Sequence, residues 1–151
     1  MCIRDSTPSA GGSPRRTVSG VDAARVNMLL AVLQRRARFA LAQDDCYVAT
    51  VGGVRLSEPA SDLAVAVAVA SAKLGAPVPT GMIAVGELGL AGEVRPVPGI
   101  GRRVREAARL GFTRAIVPRS PEPLGEVPKG FTVAQVGSLA EALGTIPTWT
   151  R

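Results

Sequence analysis

The sequence contains no histidine. That absence excludes Ser-His-Asp and Cys-His triads, the H-E-x-x-H zinc motif and every histidine general base. Aromatic residues are scarce: one Trp, one Tyr and three Phe in 151 residues. The core must therefore be aliphatic, built from Val, Leu, Ala and Ile. Only two cysteines occur, Cys2 and Cys46, and their spacing suits neither zinc nor a disulfide framework, so a reducing cytoplasm fits best. No apolar run approaches the length of a membrane span. The stretch Leu63 to Ala70 is far too short, and no apolar signal segment follows Met1. Lysine is nearly absent too, being confined to Lys73 and Lys129.

Arginine is abundant instead. Lys+Arg number 18 against 12 Asp+Glu, a net charge of +6. Guanidinium forks suit phosphate and carboxylate, which makes a nucleic-acid partner plausible. A GC-rich genome produces the same excess without any function. With 46% hydrophobic residues, the chain is long enough for one domain with a real core.

The pattern along the chain alternates helix and strand, which gives an α/β class. Residues 1–20 are rich in Gly, Ser, Pro and Arg and read as a disordered tail, with the opening MCIRDS an artefact unrelated to the rest of the chain. Asp22 can cap a helix whose Val26, Leu29, Leu30 and Leu33 share one face. CYVATVGG reads as a strand ending in a glycine bend. Pro59 opens a helix, ASDLAVAVAVASAKL, that is apolar all round and so central, with Gly75 ending it. MIAVGELGLAGEVRPV reads as strand, turn and strand, with a hairpin around Leu90 to Gly92. A helix from Gly99 to Leu110 comes next, stopped by Gly111. Strands over 113–117 and 131–136 flank a Pro-rich loop, and Ser138 caps a short last helix. The domain is expected over 21–146, with 147–151 a C-terminal tail.

Three stretches carry a family resemblance: VGGVRLSEPASDLAVAVAVAS (51–71), GELGLAGEVRPVPG (86–99) and REAARLGFTRAIVP (105–118). Together they resemble the proteolytic domain of the Lon family over roughly residues 46 to 144. The resemblance implies a Lon-protease-like (ribosomal S5 domain 2-like) α/β fold with a mixed sheet and packed helices. In that family a serine at a helix start is the nucleophile and a lysine on a later helix is the base. Aligning the proline of each helix start and the proline after each hairpin puts the serine on Ala60 and the lysine on Arg103. Alanine has no nucleophile, and arginine as a residue type stays protonated. Helical geometry places Arg103 beside Ala107, at the margin of the apolar face, where it can pair with Asp62 or Glu58. Ser57 and Ser61 read as capping residues, and Lys73 and Lys129 do not match the base position. An active Ser-Lys peptidase is the disfavoured alternative.

SEPASDLAVA with GELGLAGEVRPV narrows the resemblance to the C-terminal, non-proteolytic Lon-like module of the RadA (Sms) family of bacterial DNA-repair proteins. PRRTVSGVDAARVNMLLAVLQRRA resembles the segment that opens that module. The resemblance implies a scaffold for a hexameric, ATP-dependent branch-migration motor, with DNA and a RecA-type recombinase as partners through the longer protein and no membrane. It also implies that ATP, Mg2+ and zinc belong to an N-terminal part. The chain holds no Cys-x-x-Cys and no G-x-x-x-x-G-K-[ST] loop, so it reads as a fragment with no cofactor of its own. Candidate DNA-contacting residues are Arg35, Arg36, Arg102, Arg105, Arg109, Arg114 and Arg119, with Arg15, Arg16 and Arg38 beside the first pair. A solvated face with Arg102 and Glu106 as an i, i+4 pair explains the helix cluster equally. A pure oligomerisation module without DNA contact is the opposing reading.

Overall fold

The computed structural model describes residues 2–4, 13–147 and 149. Its first sheet has three short strands, Cys2–Arg4 (β1), Arg16–Ser19 (β2) and Cys46–Ala49 (β3). The order is β1-β3-β2, with β2 parallel and β1 antiparallel to β3. Both β1 and β2 fall inside the segment that composition assigns to a tail. The strand β2 has no alternating apolar pattern to betray it. Its register comes from the ladder to β3, and Val18 packs only partly against the core.

Between β2 and β3 runs α1, Ala23–Arg36. The Asp22 carboxylate accepts from the Arg25 N–H at 2.7 Å, as an N-cap should. Val26, Leu29, Leu30 and Leu33 are buried at the spacing read from the sequence. At the far end the Leu33 carbonyl accepts from the N–H groups of Ala37 and Phe39. That turn puts Arg38 at φ 59°, the left-handed region that glycine normally fills.

A 3-10 turn over Pro59–Ser61 leads into α2, Asp62–Leu74, which ends at Gly75 with φ 61°. Leu63, Val65, Ala66, Val67, Val69 and Ala70 are all buried, and α2 packs on α1 and on the two strands that come after it in the chain. Its small side chains allow this close approach from several sides.

The second sheet is wholly parallel: Met82–Ala84 (β4), then Arg114–Pro118 (β7) in the centre, then Thr132–Val136 (β8). The crossover from β4 to β7 holds a hairpin, Glu87–Leu88 (β5) with Val94–Arg95 (β6), and α3, Ile100–Arg109. After β8 comes α4, Leu139–Gly144, where the Ser138 hydroxyl accepts from the Glu141 N–H at 3.2 Å. Two apolar clusters result. The larger unites α1, α2 and α4. The smaller lies under α3 and contains Ala60, Val97, Ile100, Val104, Ala115 and Val117. The architecture is mixed α/β, with helices and parallel sheet together.

Candidate functional site

The start of α2 is sewn to the hairpin by backbone bonds. The Gly86 N–H donates to the Ala60 carbonyl at 2.8 Å, and the Leu63 N–H donates to the Gly86 carbonyl at 3.0 Å. Ala60 itself is buried, 5% exposed. The Ser61 N–H donates to the Glu58 carbonyl at 3.1 Å as well. A side chain at Gly86 would meet Val94 Cγ1 at 2.8 Å, so glycine is needed for this close seam.

Arg103 projects from α3 toward the same place. Its guanidinium pairs with Glu58, and its Nε donates to the Pro98 carbonyl at 3.3 Å. Of the two acids within sequence expectation, Glu58 is the partner. Neither Ser57 nor Ser61 caps a helix: the turn and α2 show no side-chain cap, and the Ser61 hydroxyl donates to the Glu58 carbonyl at 2.8 Å. The backbone turn leaves Ser61 in helical conformation, so its oxygen cannot reach back to a later N–H. Lys73 lies at the opposite end of α2, where Nζ bonds Asp44 at 2.5 Å. Lys129 is in an exposed loop.

The pairing of Asp62 with Arg25 is the feature that sequence reading missed. Asp62 is 1% exposed and accepts three bonds: from Arg25 Nε at 2.6 Å, from Arg25 Nη2 at 2.5 Å, and from the Leu88 N–H at 3.1 Å. The hydrogen bond to Asp62 raises the Arg25 pKa above its ordinary value, against a smaller opposing effect of burial. One signal was available in the sequence. A lone carboxylate in a helix apolar on every face must be buried, and a buried carboxylate requires a cation.

The arginines lie on the surface in separate groups. Arg102, Arg105 and Arg109 are exposed on α3, and Arg114 is exposed at the start of β7. Glu106 pairs with Arg109 at 2.7 Å, not with Arg102, because the i, i+3 geometry lets both guanidinium edges reach its oxygens. Arg119 pairs with Glu141. Among the described residues, Arg35, Arg36, Arg38, Arg102, Arg105 and Arg114 have no carboxylate partner. Arg35 and Arg36 flank the exposed Leu90 of the hairpin turn. Beside Arg102 and Arg103, a shallow groove is lined by Ile83, Ala107, Leu110 and Phe112. Leu110, at the edge of this groove, is 64% exposed. Among the described residues, no group of three or more His, Cys, Asp or Glu is placed to hold a metal ion. Among the described residues, no helix is long and apolar enough to cross a membrane.

Residues 30–121, more than half of the chain, match the family model described as Subunit ChlI of Mg-chelatase, and the chain belongs to that family. It is also similar to proteins named DNA repair protein RadA. Identity is 51% over 138 residues with that of Mycobacterium tuberculosis (strain ATCC 25618 / H37Rv), covering 91% of this chain and 28% of the relative. It is 44% over 139 residues with that of Bacillus subtilis (strain 168), covering 92% and 30%. It is 41% over 140 residues with that of Streptococcus pyogenes serotype M1, covering 93% and 31%. The chain therefore corresponds to a segment of RadA proteins and spans under a third of their length.

Proposed function

We propose that this chain is a non-proteolytic Lon-like module of a RadA-type motor, serving it as ring scaffold and DNA-binding surface during recombinational repair. The observation that carries this reading is the 41–51% identity to RadA proteins over about nine-tenths of the chain. Local chemistry supports it. Ala60 supplies no nucleophile, Arg103 is occupied with Glu58, and several exposed arginines have no carboxylate partner. In such a motor, ATP hydrolysis with Mg2+, and a zinc finger, belong to the remainder of the longer protein. A homohexameric ring in the cytoplasm, acting with a RecA-type recombinase, is the assembly this reading implies.

The test is fluorescence anisotropy of labelled DNA with the 151-residue chain across a salt series. If phosphates dominate, affinity falls at least tenfold between 50 and 200 mM salt, on the order expected for several phosphate contacts. Sequence preference is small. Arg102→Glu with Arg105→Glu weakens binding and lowers the salt slope while the oligomer persists. Salt-independent or absent binding by the assembled protein overturns the DNA role.

A second reading, an assembly module without DNA contact, is favoured by the exposed Leu110 and Phe112. It predicts that the same two charge reversals, or Leu110→Ser, dissociate the oligomer in light scattering while any residual DNA binding is unchanged. A Ser-Lys peptidase predicts labelling by a serine-reactive phosphonate. None is expected with alanine at position 60.

A further inference from the structure

A groove of about 430 Å³ opens where the C-terminal ends of α1, α2 and α4 meet. Arg36, Arg38, Phe39, Leu74, Leu143 and Trp149 line it, and no acidic residue does. Three features mark it. Trp149, the one tryptophan in the sequence, has its indole Nε1 sealed from solvent with no acceptor among the described residues. Arg38 is the one non-glycine among the described residues with positive φ, at 59°. A glycine would make the same turn without steric penalty, so the arginine is kept there against a local conformational cost. Arg36 has no carboxylate partner, and its stem lies against Gly92, where a Cβ would stand 3.0 Å from it. Its guanidinium is thus carried on a fixed support.

We infer that this groove seats one unstacked base of single-stranded DNA, with Trp149 and Phe39 against the ring and Arg36 and Arg38 on the flanking phosphates. The chemistry matches term by term. A flat ring needs an apolar wall, and the groove lining is mostly apolar. Each nucleotide couples one such ring to one negative charge, and the groove couples an apolar wall to unpaired guanidinium groups. A duplex hides its ring faces and cannot enter. The inference rests on the DNA reading above, at a location separate from the α3 arginines.

Trp149 provides its own signal. Titrating the 151-residue chain with a short oligo-dT should quench its emission saturably, and added salt should reverse the quench. Arg38→Gly should abolish most of the quench without lowering Tm, because glycine accepts the left-handed turn. Trp149→Ala should bind oligo-dT about tenfold more weakly by anisotropy, the scale of one lost stacking contact. Binding by anisotropy with unchanged Trp149 emission overturns the groove and leaves the DNA reading standing. Full affinity in Arg38→Gly does the same. Equal quenching by a duplex refutes the single-strand requirement. Quenching by poly-glutamate but not by oligo-dT assigns the groove to an acidic peptide. No DNA binding by any probe overturns both readings.

Discussion

Arg25 of α1 grips Asp62 at the first turn of α2 with two parallel bonds, Nε to Oδ1 at 2.6 Å and Nη2 to Oδ2 at 2.5 Å. The bidentate fork ties the first helix to the central one. Asp62 also accepts from the Leu88 N–H, so one carboxylate joins α1, α2 and the hairpin. Arg25→Ala leaves that carboxylate buried beside Glu87, whose oxygen now sits 3.8 Å from the Arg25 guanidinium. Uncompensated buried charge costs on the order of 3 kcal/mol. Urea denaturation of Arg25→Ala should show that loss. Arg25→Ala with Asp62→Ala should lose less than the two single variants summed. Additive losses would mean the two residues act separately.

Gly101 gives a prediction opposite to helix propensity. It lies in the first turn of α3, where alanine is ordinarily better by about 1 kcal/mol. A Cβ there would overlap the Leu124 carbonyl oxygen, a backbone atom of the Pro-rich loop. Gly101→Ala should therefore destabilise by about 1–3 kcal/mol, the usual scale of overpacking. Gly144→Ala is the control, because a Cβ there meets nothing within 4 Å. It should be neutral or gain up to about 1 kcal/mol. Thermal unfolding of both variants checks the contrast, and equal Tm values would contradict it.

Much of the fold was legible in the sequence, for reasons that particular residues show. Asp22 caps α1, and Val26, Leu29, Leu30 and Leu33 bury one stripe of it. Gly75 and Ser138 mark the boundaries of α2 and α4 as their chemistry requires. The strand β2 was not legible, because Arg16–Ser19 carries no alternating apolar signal and is defined by its partner β3, thirty residues away in register. Charge pairing was legible only in part. Glu58 was one of two partners expected for Arg103, and the other, Asp62, is taken by Arg25. Spacing on α3 allowed Glu106 to pair with Arg102, but rotamer reach gives it Arg109. Such choices depend on which side chain is free to turn, and one-dimensional spacing does not encode that. Arg38 and Trp149 fall in the same class: the groove they share is a product of three helix ends meeting.

The Arg103–Glu58 pair should contribute little to stability. Arg103 is 30% and Glu58 55% exposed, so water screens their attraction. Arg103→Ala is expected to lose at most about 1 kcal/mol, as exposed pairs do. Arg103→Glu should cost more, since it sets two carboxylates against each other. If Arg103→Ala loses several times that figure, the guanidinium carries packing or assembly that the pair alone does not explain, and light scattering would separate the two.

Cys46 sets a pH dependence at the alkaline end. Burial raises the thiol pKa, Asp44 pushes the same way more weakly, and Arg16 opposes them. In the folded chain the thiol keeps its proton at a pH where the unfolded chain has begun to release it. A raised folded pKa gives a contribution that is complete below the unfolded value, about 8.5, and declines as pH rises through the folded value. Stability should thus fall above about pH 8.5 more steeply in the parent chain than in Cys46→Ala. In a Cys2→Ser background, alkylation of Cys46 by iodoacetamide should also be slower near neutral pH than that of a free thiol, because the thiolate is the reacting form. Alkylation as fast as glutathione at the same pH, or identical alkaline slopes in the two chains, would show that the thiol is not held protonated by burial.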